Sequence, residues 1–318
     1  MIQKQSFEVD RELRTLIQWA SYVKFDDIPE AVRRKAVIVL LDDVCAMVAA
    51  RNEPEIICLQ EQLLNHSSKI EATVFQGGYR RTDRYSAAVA NAAAANWCEL
   101  DEGYRKVTCH AGLYSLPALL AEAEAEGHSV RDVLKALVIC YEIVTRVARV
   151  WNFPTLVLHP HAVFGALGAS IAVATLRKVN LEAFMSSLTS SATLITVGPW
   201  NHAVKGALIE NMWVASAAWN GMRSVDWAQC GIGGLPSTLN DVYEKSLGAE
   251  INIEHFASGL GSEWAILDGY NKKYACCQYA HSLIEATLHL RTKYENELLN
   301  DNIRHILIET HEGGLTLK

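Results

Sequence analysis

The sequence predicts a mainly α fold: a large all-α helical domain over residues 1–265, then the start of a small, incomplete α+β lid domain over 266–318. Three observations lead there. Apolar residues recur at helical spacing as far as Asp226, and Gly, Pro, Ser and Asn punctuate those runs where helices should begin or end. Period-two alternation surfaces only near the end, over 303–310, the best strand candidate.

Taken in order, Leu13, Leu16, Ile17, Ala20 and Val23 mark one face of a first helix. Asp27 ahead of Pro29 opens a second, running to about Ala50. The Ala-rich run 87–97 has the highest intrinsic helix propensity in the chain. A further helix starts near Tyr114 and stops at Gly127, and Ser129 is a suitable N-cap for 130–150. Residues 161–178 carry Gly165, Gly168, Ala169 and Ala172, small enough to let a neighbouring helix come close. Asn180 caps 181–196, and 205–226 is another apolar helix, with Trp213 and Trp219. Helices apolar on more than one side belong inside a large bundle. After Asp226 come a turn-rich loop, short irregular segments over 248–274, and one more helix at 282–299.

Composition narrows the function. The chain has 318 residues, half of them hydrophobic, which is ample for a large core. A net charge of -7 without a basic, aromatic-interleaved run argues against nucleic acid. No apolar run approaches the ~20 residues a membrane span needs, and the first residues lack a signal peptide's apolar stretch. A cytoplasmic protein away from membranes is expected. The eight cysteines include no C-x-x-C, so reduced thiols are expected rather than a zinc site. GIGGLP is not a dinucleotide fingerprint, and no P-loop, nucleophile elbow or H-E-x-x-H occurs. Neither a metal nor a cofactor is expected.

Four segments could carry chemistry. In Glu99-Leu100-Asp101-Glu102-Gly103, with His110 beyond, carboxylates could fix an imidazole tautomer; the alternative is an acidic, solvated helix end. His159-Pro160-His161 opens the small-residue helix, where free N–H groups favour anions; the alternative is a capping loop. Lys205, at a Gly-rich helix start, could serve a buried anion or simply lie on the surface. Lys272-Lys273-Tyr274-Ala275-Cys276-Cys277, with His281 beyond, pairs two lysines with an apolar segment, or is a solvated linker.

In this order and spacing the four segments resemble the MmgE/PrpD family, which includes 2-methylcitrate dehydratase, cis-aconitate decarboxylase and iminodisuccinate epimerase. Leu41-Asp42-Asp43, Ala87-Ala88-Val89-Ala90-Asn91, the run 115–123, and Lys205 six residues before Asn211 complete the match, from about residue 10 to the end. The resemblance implies an all-α domain with an α+β lid, a homodimer through the helical domain, no organic cofactor, and a small polycarboxylate substrate. It implies catalytic roles for His110, His159, Lys205 and Lys272, gathered in one cleft. Asp101, Glu102, His161 and Lys273 would then bind substrate.

A carbanion beside a carboxylate needs a base near the proton and fixed positive charge near the developing enediolate. The first expectation is therefore a 2-methylcitrate dehydratase-like hydro-lyase. A decarboxylase or epimerase comes second, and a non-catalytic helical scaffold or dimerisation protein third. Cys109-His110-Ala111 and His281-Ser282 stand where the family commonly reads His-Pro, and Asp101-Glu102 replaces adjacent aspartates. Family members are longer, so a chain ending at Lys318 is expected to lack most of a lid and to be a poor catalyst alone.

Overall fold

The computed structural model describes residues 2–76, 78–155, 157–295 and 303–317. The chain is mainly α. It begins with α1 (Ile2–Tyr22), α2 (Glu30–Ala49) and α3 (Pro54–Asn65), then an antiparallel hairpin of β1 (Ala72–Gln76) and β2 (Gly78–Thr82). Next come α4 (Arg84–Trp97), the two-residue β3 (Gly103–Tyr104), α5 (Ala111–Glu126) and α6 (Val130–Val150). After β4 (Trp151–Asn152) follow α7 (Pro160–Leu176), α8 (Leu181–Ser191), the short α9 (Trp200–Val204) and α10 (Asn211–Gln229). The remainder holds β5 (Glu250–Ile251), β6 (Gly269–Tyr270), α11 (His281–Lys293) and α12 (Glu312–Leu315).

The core is built around α7, whose apolar residues cover its whole circumference and are nearly all buried. Helices α5, α6, α8 and α10 pack around it. Its glycines allow the approach: a Cβ at Gly168 would come 2.5 Å from Tyr114 Cβ in α5. Leu13, Leu16 and Ile17 are fully buried on the inner face of α1, each worth about 1.5–3 kcal/mol of hydrophobic stabilisation. The helix starts are satisfied locally. Asp83 accepts from Tyr85 N and Ser86 N, Ser129 and Asp132 cap reciprocally, and Asn180 accepts from Ala183 N. Each such cap stabilises by about 1 kcal/mol. Gly127, at φ 71°, ends α5 where a side chain would be strained.

Some elements differ from expectation. Helix α3 and the β1–β2 hairpin carry weak patterns and were not anticipated. Helix α8 stops at Ser191, short of 196. Thr189, Ser191 and Thr193 bond back to main-chain carbonyls there, which competes with helix continuation. The helix expected over 205–226 starts late: α9 ends at Val204 with Lys205 as its C-cap, Gly206 takes φ 71°, and α10 starts only at Asn211 and runs to Gln229. Residues 303–310 form no strand, and Ile306 and Leu307 are more than 70% exposed, at 72% and 74%. No partner strand faces them among the described residues, and a lone strand leaves its N–H and C=O groups unpaired. Of the helix expected over 282–299, residues 296–299 lie outside the described residues. Among the described residues no helix is long and apolar enough to cross a membrane.

Candidate active site

A cavity of about 600 Å³ opens where the C-terminal end of α4, the start of α7, the α9–α10 connection and the segment after β6 meet. His110, His159, His161, Lys272, Glu99 and Glu210 supply its titratable wall, and Trp97, Trp200 and Leu208 part of its apolar wall.

Strand pairing delivers the charged wall. Gly103 pairs with Tyr270, and Tyr104 with Gly269, in antiparallel register. Two residues outward on each side, Asp101 meets Lys272. The Lys272 ammonium lies 3.1 Å from Asp101 Oδ1 and 3.1 Å from Glu99 Oε2. Burial opposes the charge on Lys272, but Asp101 and Glu99 outweigh it and hold the ammonium above the usual lysine range. Burial likewise opposes the Asp101 carboxylate, yet Lys272 and His110 hold it well below the usual range.

The imidazoles come from helix starts. His110 is the residue before α5, and its Nδ1 lies 2.8 Å from the Glu102 carbonyl oxygen. A carbonyl can only accept, so Nδ1 carries a proton, and in the neutral ring the lone pair is on Nε2. Asp101 Oδ2, 2.6 Å from the same nitrogen, lies off the hydrogen-bond direction and acts through its charge. His159 precedes Pro160 at the start of α7, and its Nδ1 accepts from His161 N at 3.3 Å. That bond assigns His159 the opposite tautomer, with the proton on Nε2. Trp200 stacks on the His159 ring at 5.2 Å and 14°. Burial, then the charge of His110, pushes His159 down to about 3, so it is neutral near pH 7. His161 is held below its ordinary value by burial and then by His159, and its Nδ1 meets Tyr114 OH at 3.1 Å. The rings are contiguous: His159 to His161 is 4.2 Å between centroids, and His110 to His161 is 4.7 Å.

His110, His159 and Lys272 therefore share one cavity, with His161 in its wall and Asp101 fixed behind Lys272 and His110. Besides Asp101, three expected residues do not line it. Lys205 is exposed at the C-terminal end of α9, although Val204 and Gly206 on either side reach the cavity. Lys273 points the other way from Lys272 and pairs with Glu285 at 2.7 Å on the surface. Glu102 is buried behind the wall, accepting from Gly112 N at 2.6 Å and Tyr141 OH at 2.8 Å, and burial raises it to about 7. It thereby holds the first turn of α5, and with it His110. Glu99 belongs to the acidic run read from the sequence, whereas Glu210 was not singled out, although it adjoins Asn211.

Asp101, His110 and His161 each offer one ligand atom within 4.8 Å of the others, a spacing open to a metal ion. The donors are already engaged. Lys272 takes the cation's place on Asp101, and His110 Nδ1 directs its proton at the Glu102 carbonyl. The trio fits a hydrogen-bonded array better than a coordination sphere.

The model of the MmgE/PrpD N-terminal domain matches residues 14–248. The chain belongs to the MmgE/PrpD family. Among curated relatives it is 27% identical to a cis-aconitate decarboxylase of Aspergillus terreus over 92% of the chain. It is 26% identical to the cis-aconitate decarboxylase-like protein oryM of Aspergillus oryzae over 93%. It spans 64% and 66% of those two proteins' lengths.

Proposed function

We propose that this chain forms the acid–base site of a lyase-type enzyme acting on a small polycarboxylic acid, with decarboxylation ahead of dehydration as its reaction. The observation that carries the reading is the pair of oppositely protonated imidazoles, His110 and His159, in one cavity with Lys272. The relatives' names favour decarboxylation over the hydro-lyase first expected from the sequence; the shared chemistry is a carbanion beside a carboxylate.

In this reading Lys272 binds the carboxylate that accepts the electron pair when a neighbouring carboxylate leaves as carbon dioxide. The neutral His159 donates an Nε2–H hydrogen bond to the developing enediolate, a role that suits an imidazole kept neutral by burial. A proton taken up from solvent at His110 Nε2 passes to the carbon that bears the electron pair once carbon dioxide has left, and Asp101 stabilises the protonated ring that carries it. Asp101 and His161 position these groups. Lys205 joins the site only if the segment 200–207 folds inward over bound substrate. The same reading takes the enzyme as cytoplasmic, needing no organic cofactor or metal, and homodimeric through the helical domain.

The test is to incubate the chain with cis-aconitate, citrate and 2-methylcitrate in deuterium oxide and follow products by NMR. Deuterated decarboxylation product from cis-aconitate, absent with His110→Asn, is expected. Dehydration of 2-methylcitrate alone would restore the hydro-lyase. Neither product nor isotope exchange with any acid would favour a non-catalytic scaffold.

A further inference from the structure

The Lys272 corner holds more negative charge than one ammonium can balance. Glu99 and Asp101 both touch Lys272, and Glu210 lies against Glu99 at the start of α10. Glu210 is 7% exposed. Its Oε1 takes a long bond of 3.4 Å from Asn96 Nδ2, which also serves Asn211 Oδ1 at 3.0 Å. Its Oε2 is buried and receives no donor. A buried carboxylate beside another carboxylate, with one of its oxygens lacking a donor, is strongly unfavourable unless the two hold a proton between them. Glu99 follows Cys98, the C-cap of α4, and takes φ 52°, the left-handed conformation in which helices commonly end, so the helix terminus sets its place on the cavity wall.

We propose that Glu99 and Glu210 share one proton on the cavity wall, and that this proton determines whether Lys272 is available to an anionic substrate. With the proton in place, the corner has two negative charges, on Asp101 and on the pair, against one ammonium. A substrate carboxylate can then replace Glu99 at Lys272 while Glu99 turns to Glu210. Without it, a third carboxylate charge repels the incoming anion. Glu210 thus acts through Glu99 and Lys272 as a positioning residue. The other titratable groups facing this corner are Tyr270, Cys276 and Cys277 near Lys272, and His110 and His159 across the cavity. Burial, with the Glu99 and Asp101 charges, raises Glu210 to about 8, in keeping with a proton retained at neutrality. The part concerning substrate rests on the polyacid reading above; the shared proton does not.

Two measurements separate those parts. Infrared difference spectra of the free chain between pH 6 and pH 9.5 should show loss of protonated-carboxyl stretches from Glu102, Glu142 and Glu210, and the Glu210 component, the last to disappear as pH rises, should be missing from Glu210→Gln. Citrate binding followed by calorimetry, in buffers of different ionisation enthalpy, should weaken by about tenfold per pH unit above Glu210's titration. It should also take up close to one proton. Glu210→Gln, whose amide can donate to Glu99 permanently, should bind citrate with little of that pH dependence and take up no proton. An unchanged carboxyl band in Glu210→Gln, or citrate binding by the parent chain without proton uptake, overturns the proposal. Absence of citrate binding at every pH, with the band behaving as expected, overturns its substrate part and counts against the polyacid reading.

Discussion

Two walls of the cavity are built in different ways. The wall formed by 99–110 and 269–272 is pinned by strand pairing, by the Lys272 ion pairs and by the buried Glu102, Tyr141 and Gly112 contacts behind it. The wall formed by 200–210 is a five-residue helix, a glycine at positive φ and one 3-10 turn, and the Lys205 ammonium has no ion-pair partner among the described residues. Both walls contain a motif lysine at the spacing the family resemblance implies, yet only Lys272 is delivered to the site. A lysine is committed to a cavity when buried carboxylates offset its desolvation, and a sequence motif alone does not supply them.

The largest expected effect tests the pinned wall. Lys272→Met should destabilise the chain by about 3–5 kcal/mol, because it leaves two carboxylates uncompensated around a buried position. Urea unfolding at pH 7 measures it, and a loss under about 1 kcal/mol would mean that the wall does not depend on this ion pair. Next, His110→Asn and His159→Ala should each lower turnover by about 10²–10⁴, whereas His128→Ala, half-exposed and remote from the cavity, should leave it nearly unchanged. Equal losses for His128 and His159 would remove the distinction between the site and the rest of the surface.

Lys205→Ala sharpens the comparison from the other side. It should change stability by no more than about 0.5 kcal/mol, as for an exposed residue away from packed features. A loss of turnover as large as that of His159→Ala would show that substrate draws the 200–207 segment inward.

The smallest expected effect is on pH dependence. Glu102 and Glu142 are raised by burial to about 7, so their contribution to stability is present at low pH and lost as pH rises from the unfolded value of 4.5 through about 7. His159, lowered to about 3, contributes in the opposite sense: its share is present above 6.5 and lost as pH falls toward 3. Above 6.5, where the His159 share is complete, the urea midpoint should therefore decline as pH rises through about 7 and level off beyond it, and Glu142→Gln should flatten that decline. A midpoint that rises with pH across that window would contradict the burial argument.

The sequence made the helical body legible because periodicity and caps agree there: α6 runs over Val130–Val150 after its Ser129 cap, as expected. It failed where local signals are weak or depend on distant partners. The hairpin over 72–82 has little alternation to mark it. The alternation over 303–310 finds no strand to pair with among the described residues. In the site, His110, His159, Asp101 and Lys272 were readable as motif residues, but their convergence depends on the two-residue pairing of β3 with β6, which no spacing encodes. Glu99 was readable as part of the acidic run 99–103, but Glu210 was missed because an isolated glutamate carries no pattern, and its missing donor appears only in three dimensions.

The account turns on His110 and His159 being opposite tautomers in one cavity, and imidazole nitrogen NMR of histidine-labelled chain measures this directly. At pH 7.5 the long-range nitrogen–carbon correlations should show His110 protonated at Nδ1 and His159 at Nε2. His159 should stay neutral down to at least pH 5, well below the ordinary histidine value of 6.5. Identical tautomers at the two positions, or titration of His159 near 6.5, would contradict the assignment of proton carrier and hydrogen-bond donor on which the proposed reaction depends.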